Sequence, residues 1–213
     1  MNLKIYTTYH KDNLIKDYNL IEDDYHILFG THKNVNGENL NNCSKYFNEY
    51  STMYYVWKNN LYSEFVGFEH YRRRFNMSKI KNLKNDNVYV RSYNQPAEYT
   101  LNNDKIWLLD LQYYENNIKK LYGEKNIYID FLYNSHDVIS DMCFIINFQK
   151  FNEMMIFIHT LIDMFDKDIN ANYNYDNYLK FYNDEYLCRV HIVERLVSMW
   201  ILCNYDKNNI IQI

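Results

Sequence analysis

Proline and glycine are scarce in this chain, which has one proline and four glycines among its 213 residues. Neither of the common glycine-rich phosphate loops is present, and this argues against a P-loop kinase and against a dinucleotide-binding enzyme. The metalloprotease motif HExxH and the hydrolase motif GxSxG are also missing. With so few glycines, we expect the loops to turn on Asn and Asp, which tolerate left-handed backbone.

Cysteines are few and scattered, and long apolar runs are missing. The spacing of the four cysteines predicts neither a zinc site nor a CxxC motif; they are Cys43, Cys143, Cys188 and Cys203. We expect free thiols in a reducing compartment and predict a cytoplasmic protein, in the host cytoplasm if the source is viral. Charged residues run through positions 1–20, which argues against a signal peptide. No run of about 18 apolar residues exists, so we expect no transmembrane segment and leave peripheral membrane association open.

Positive charge is not in excess, because the formal net charge is -4. A general nucleic-acid binder is normally basic, so we expect no nucleic-acid partner. A local basic patch inside an acidic chain suits a small anionic ligand instead. At this length we predict one domain spanning residues 1–213.

Apolar patterning predicts strands that alternate with helices. The predicted strands are Leu3–Thr8, His26–Thr31, Glu64–Phe68, Val88–Arg91 and Met142–Asn147, with Ile210-Ile211 as an edge strand. The predicted helices are Cys43–Leu61, Asn102–Gly123, Gln149–Phe165 and Tyr186–Asn204, with Asp166–Asp176 as a loop. The pattern does not decide between helix and strand for Ile127–Tyr133. This alternation predicts an α/β fold with a sheet flanked by helices.

The third predicted strand stops abruptly in Glu69-His70-Tyr71-Arg72-Arg73-Arg74. Ligands of open α/β sheets bind beyond the carboxyl ends of strands, and arginines there favour an anion such as phosphate. A basic run is more often solvated surface, but this one directly follows a buried strand. Two further histidines, His10 and His32, also follow predicted strand ends.

Two acidic features have a structural and a functional interpretation. Asp166-Lys167-Asp168 has the DxD spacing that nucleotide-sugar transferases use to hold Mn²⁺ or Mg²⁺. It follows a helix rather than a core strand, so we interpret it as a solvated helix end.

Glu194 lies at the edge of the apolar stripe of the last helix. It either pairs with an arginine or acts as a base with a raised pKa.

The motifs resemble those of a domain-of-unknown-function family from capsular and exopolysaccharide gene clusters, whose short bacterial and viral members are treated as GT-A-like glycosyltransferases. The matching segments are Thr8-Tyr9-His10-Lys11, Glu38-Asn39-Leu40-Asn41, Lys45-Tyr46-Phe47-Asn48-Glu49-Tyr50-Ser51-Thr52, Tyr54-Tyr55-Val56-Trp57-Lys58-Asn59 and Phe65-Val66-Gly67-Phe68-Glu69-His70-Tyr71-Arg72-Arg73-Arg74-Phe75. The carboxyl half is similar through Ser135-His136 and Glu194-Arg195-Leu196. The combination of W-K-N with H-Y-R-R is the specific part of the resemblance.

The resemblance implies a GT-A-like, Rossmann-like mixed sheet and a nucleotide-sugar-dependent hexosyltransferase that acts on a glycan or polysaccharide acceptor. The expected donor is a UDP-sugar. Its nucleoside is expected to bind at Thr7, Thr8, His10 and the Glu38-Asn39 turn, and its diphosphate at Arg72 and Arg73. His70 is expected to assist catalysis, either as a ligand of Mn²⁺ or beside arginines that replace a metal. Glu194 or Asp137 is the expected base.

The chain departs from the family pattern at several positions. Glu38 replaces an Asp, Leu-Asn replaces Ile-Ser after Asn39, Arg74 replaces an aromatic residue, and Val193 replaces a Ser. None of these changes removes the His or the paired Arg. Two other functions remain open: a non-catalytic nucleotide-sugar or carbohydrate-binding module, and a nucleotidyl- or phosphotransferase that uses the same arginines.

Overall fold

The structure, a computed structural model, describes residues 2–41, 49–80, 82–91, 105–134, 138–139, 142–172 and 188–213. The strands are β1 (Leu3–Tyr9), β2 (His26–Gly30), β3 (Phe65–His70), β4 (Val88–Val90), β5 (Phe144–Asn147) and β6 (Ile210–Gln212). The α-helices are α1 (Asn13–Asp17), α2 (Glu49–Lys58), α3 (Lys105–Tyr122), α4 (Ile127–Asn134), α5 (Phe148–Asn172) and α6 (Cys188–Asn204). Short 3₁₀ turns lie at Met77–Lys79 and Lys207–Asn209.

The six strands form one mixed sheet in the order β2-β1-β3-β5-β4-β6. β1 pairs in parallel with β2 and β3, while β5 runs antiparallel to both β3 and β4. β6 pairs in parallel with β4. The carboxyl ends of β1, β2 and β3 therefore meet at one edge of the sheet, and helices flank it. This confirms the predicted α/β class.

The two faces of the sheet carry different covers. Helices α2, α5 and α6 cover one face, where Tyr6, Phe68 and Phe144 enter the main core. The other face carries Leu3 and Ile5. It packs against Phe75 of the loop after β3 and forms a second, smaller core. Because successive strand residues point to opposite faces, neighbours in β1 and β3 have different surroundings.

The strand ends were predicted less accurately than the strands. β3 continues through His70, where the prediction stopped at Phe68. The loop predicted from Asp166 is wrong through Asn172, because α5 continues to that residue. The undecided Ile127 segment is helix α4. Among described residues, three of the four non-glycine positions with positive φ are asparagines, as expected for a glycine-poor chain; they are Asn19, Asn60 and Asn82, beside Met142.

In the part of the chain that the structure describes, every helix is too short or too polar to cross a membrane. Cys143 and Cys203 are free thiols, as predicted. That residues 1–213 form one domain stays a prediction.

Candidate functional site

A hydrogen-bonded turn follows β3 and fixes the first two arginines. The amide of Tyr71 donates to the carbonyl of Thr8 at 3.1 Å, and the amide of Arg73 donates to the carbonyl of His70 at 2.8 Å. The Cys143 thiol, whose pKa burial raises to about 12, donates to the Arg73 carbonyl at 3.6 Å. The turn is thus tied to β1 and to the entry of β5, so its position is set by the sheet.

His70 is buried at the carboxyl edge, and its tautomer follows from its partners. The amide of Arg72 lies 3.3 Å from Nδ1 of His70, so Nδ1 accepts and Nε2 carries the hydrogen. Nε2 lies 3.4 Å from Oε1 of Glu49, the first described residue of α2. Burial, and then the positive charges of Arg72, His10 and Arg73, lower the pKa of His70 to about 3. His70 is therefore a neutral N–H donor at pH 7.

Thr8 and His10 extend the site along β1. The Thr8 hydroxyl is buried and lies 2.7 Å from that of Thr52, one helical turn beyond Glu49. His10 is exposed and packs edge-on against Tyr71, with ring centroids 5.3 Å apart. Desolvation first, and then nearby cations that include Arg72, lower the pKa of His10. The structure thus brings Thr8, His10 and His70 together at the carboxyl edge of the sheet.

The three consecutive arginines have different surroundings. Arg72 is exposed, with its guanidinium 5.3 Å from the centre of the Tyr71 ring, and Arg73 is half-buried. Arg74 instead donates through Nε to Oε1 of Glu69 at 3.1 Å. Arg74, at the position that departs from the family pattern, thus pairs with a buried carboxylate rather than facing the strand ends.

Thr7 joins the same buried cluster and does not accompany Thr8. Its hydroxyl donates to Oε1 of Glu69 at 2.7 Å, and Oε2 of Glu69 accepts the amide of Phe75 at 2.9 Å. Nε2 of His26 lies 3.9 Å from Glu69. Thr7 and Thr8 point to opposite faces, so the structure places only Thr8 beside His70. The Thr7 side chain, which was expected to contact the nucleoside, therefore faces away from the site.

The Glu38-Asn39 turn is held by the carboxyl-terminal end of α2. Asn59 follows α2 and lies about 15 Å along the helix axis from Glu49. It accepts the Glu38 amide at 3.0 Å and donates to the Glu38 carbonyl at 2.8 Å. The Glu38 carboxylate accepts from Tyr54 Oη at 2.7 Å. The Asn39 amide group donates within its own loop, to the Gly37 carbonyl at 2.8 Å. These contacts hold the turn, and the neighbouring Asn41 donates to the carbonyls of Gly30, at the end of β2, and of Lys33 beyond it. That the turn binds the nucleoside stays a prediction.

The two predicted bases stand differently. Asp137 lies outside the described residues. Glu194 is half-buried on α6, and its carbonyl accepts from the Ser198 hydroxyl at 2.7 Å. Ser198 in turn accepts the amide of Ile139 at 2.9 Å, which places this part of α6 beside the segment that leads to β5. Arg195 donates to the Phe131 carbonyl at 3.5 Å.

The donor set around His70 does not fit a metal on that residue. A metal at Nε2 of a neutral imidazole requires the hydrogen on Nδ1, where the Arg72 amide already points its own hydrogen. Among the described residues, no group of three His, Cys, Asp or Glu side chains is arranged to hold a metal ion. That Mn²⁺ assists through the diphosphate alone stays a prediction.

The DxD residues lie inside α5, which changes their geometry. Residues two apart in a helix do not face each other, so Asp166 and Asp168 cannot share one cation as a turn would allow. Asp168 lies 3.8 Å from Lys120. It also lines a cavity of about 400 Å³ between α3 and α5 that contains none of the predicted site residues. The interpretation as a solvated helix end was wrong about the loop, but the pair still does not form a DxD site.

Sequence reasoning missed Glu49, Thr52 and Glu69 as parts of the strand-end arrangement. Glu49 and Thr52 are three residues apart and therefore share one face of α2. Both lie in the segment Lys45–Thr52 that resembles the family. The spacing of Glu49 and Thr52 was the signal in the sequence, but only the fold shows that this face of α2 lies beside His70. Glu69 carried the signal of a charged residue in an otherwise apolar strand.

Comparisons with known proteins agree with this architecture. A family model described as Domain of unknown function (DUF4422) matches residues 4–143. No curated protein matches. The apo structure of the WbbM bifunctional glycosyltransferase superposes with a TM-score of 0.71 at 18% identity, over 95% of this chain and 42% of that chain. At this identity the likeness establishes the fold, and this chain spans less than half of WbbM.

Proposed function

We propose, from the premise that this chain belongs to the DUF4422 family, that it is a glycosyltransferase. In this proposal it moves a hexose from a nucleotide-sugar donor, with UDP-sugars first, to a glycan or polysaccharide acceptor. The family description names no activity, and the glycosyltransferase likeness comes from a fold shared at 18% identity. The proposal therefore rests on the site.

The observation that carries it is the rigid turn after β3. Two arginines on a fixed backbone lie beside His10 and the neutral donor His70, at the edge where two parallel strands end. Such an edge is where open α/β folds bind ligands. Guanidinium groups bind phosphate oxygens with charge-assisted hydrogen bonds.

The chemistry that the site supports is stabilisation of a leaving nucleoside diphosphate. Negative charge develops on the diphosphate as the bond to the sugar breaks. Arg72 and Arg73 supply fixed positive charge beside the neutral imidazole of His70. Because the turn is tied to β1 and to Cys143, these donors need little reorganisation during the reaction.

The test is a panel of nucleotide sugars offered to the purified chain with and without Mn²⁺. Calorimetry measures binding, and chromatography measures nucleoside diphosphate released in the presence of glycan acceptors. We expect binding of at least one donor and release that depends on the acceptor. Binding without turnover would instead identify a binding module. Release of a nucleoside monophosphate or pyrophosphate would identify a nucleotidyl- or phosphotransferase.

A further inference from the structure

Glu49 is the carboxylate that the structure holds against His70. Its Oε1 lies 3.4 Å from Nε2 of His70, and the two side chains are 13% and 8% exposed. The pair stands where β1 and β3 end, because His70 closes β3 and is in register with Thr8. This carboxylate is partly sheltered from water yet lies at the open edge of the sheet.

The contact with His70 places the Glu49 carboxylate beside a neutral ring that does not protonate it. Nδ1 of His70 accepts the Arg72 amide, so the ring hydrogen is on Nε2, the atom that lies 3.4 Å from the carboxylate. Since the pKa of His70 is lowered to about 3, the ring keeps this hydrogen as a neutral donor at pH 7. A proton acceptor held by a second group is the arrangement expected of a general base.

Glu49 lies between a buried hydroxyl pair and the turn that carries the arginines. On one side, the buried hydroxyls of Thr8 and Thr52 lie 2.7 Å apart and join β1 to α2. On the other side, the turn with Arg72 and Arg73 follows His70 directly. A diphosphate on these arginines brings the attached sugar to the carboxyl edge, where Glu49 lies.

We propose that Glu49 is the base that takes the proton of the acceptor hydroxyl, with His70 as its positioning residue. The inference rests on the proposed function and describes an inverting transfer. The acceptor O–H proton passes to a carboxylate oxygen of Glu49, and the acceptor oxygen bonds to the anomeric carbon. The bond from that carbon to the diphosphate breaks, and its electron pair leaves with the nucleoside diphosphate. The direct contact with His70 favours Glu49 over Glu194.

The experiment compares Glu49→Gln with Glu194→Gln and with Glu64→Gln. Glu64 is an exposed carboxylate just before the amino end of β3, at the opposite edge of the sheet. Gln keeps the shape of Glu49 and can still accept from His70, but it takes no proton at neutral pH. We expect kcat to fall about 100-fold or more in Glu49→Gln. We expect nucleoside diphosphate affinity and thermal midpoint to stay near wild type in Glu49→Gln, and the Glu64→Gln control to stay within about threefold of wild type in kcat.

A second variant separates a base from a structural contact. Glu49→Asp retains a carboxylate one methylene shorter, so we expect partial activity and an acidic limb in the pH profile of kcat that Glu49→Gln lacks. Active wild-type protein with near-normal kcat in Glu49→Gln would overturn the Glu49 assignment alone. A loss of kcat confined to Glu194→Gln would give the role to Glu194. Wild-type protein that transfers no sugar from any donor would overturn the proposed function, and the assignment of Glu49 with it.

Discussion

Glu69 and His70 are consecutive residues of β3, yet they belong to two different regions. Each region pairs a glutamate with a histidine across about the same distance: Glu69 with His26 at 3.9 Å, and Glu49 with His70 at 3.4 Å. The first pair lies on the loop-covered face and the second under α2. Strand alternation alone separates them.

The two pairs differ in what surrounds them. The Glu69 side chain is fully buried and accepts from Thr7, Arg74 and the amide of Phe75. These contacts join β1, β3 and the loop beyond the arginines. Glu49 and His70 instead lie beside exposed Arg72 at the edge of the sheet. Similar side chains thus serve structure in one region and, by our proposal, chemistry in the other.

The largest effect on stability is expected in the buried region around Glu69. Glu69→Gln leaves Arg74 without its charged partner and turns an amide hydrogen toward either the Phe75 amide or the Thr7 hydroxyl. Breaking a buried pair costs about 3–5 kcal/mol, and we expect about 3 because Arg74 is partly exposed. Urea unfolding measures this loss, with Glu64→Gln as the exposed control at about 0.5 kcal/mol or less. Equal unfolding midpoints for Glu69→Gln and Glu49→Gln would erase the contrast between the regions.

The arginines provide the next test, because neighbours in sequence are expected to act differently. Arg72→Ala or Arg73→Ala should each weaken nucleotide-sugar binding by about 1.5–3 kcal/mol, the worth of a hydrogen bond to a charged group. Arg74→Ala should lower the unfolding free energy more than the donor affinity, since it pairs with Glu69. Calorimetry with Lys150→Ala serves as the control, because this lysine pairs with Glu153 on the exposed side of α5. Unchanged affinity in both Arg72 and Arg73 variants would remove these residues from the site.

Stability against pH tests the burial of His70. Its folded pKa, about 3, lies below the unfolded value near 6.5. Between these values the unfolded chain binds more protons, so His70's contribution is complete above pH 6.5 and is lost as pH falls toward 3. The contribution changes by up to about 1.4 kcal/mol per pH unit. Urea unfolding at several pH values should give a shallower slope for His70→Gln, and identical slopes would contradict a buried, neutral His70.

The smallest effect is expected at the DxD pair. The double variant Asp166→Asn with Asp168→Asn should keep wild-type turnover, because the two carboxylates do not face each other in α5. Mn²⁺ should stimulate transfer and a chelator should reduce it without abolishing it, since two arginines already supply positive charge. Complete loss of activity in a folded double variant would show that this pair holds the metal.

The sheet and the edge that carries the site were predictable from local patterns. Strand periodicity located β1, β2 and β3, and the His and Arg residues after β3 indicated an anionic ligand there. Contacts across the fold were not predictable in this way. Arg74 looked equivalent to Arg72 until Glu69 was seen to hold it, and Thr7 looked equivalent to Thr8 until strand direction separated them. The helical continuation past Asp166 depends on packing that a polar local sequence does not reveal.

The ring of Tyr71 lies against both histidines and the first arginine of the strand-end site. Its centroid lies 4.0 Å from that of His70, 5.3 Å from that of His10 and 4.9 Å from that of Tyr18, and the Arg72 guanidinium lies 5.3 Å away. This position makes Tyr71 a natural spectroscopic reporter. In protein labelled with fluorotyrosine, the resonance that disappears in Tyr71→Phe would be assigned among the 24 tyrosines. Its chemical shift would then record both ligand arrival and the protonation of His70.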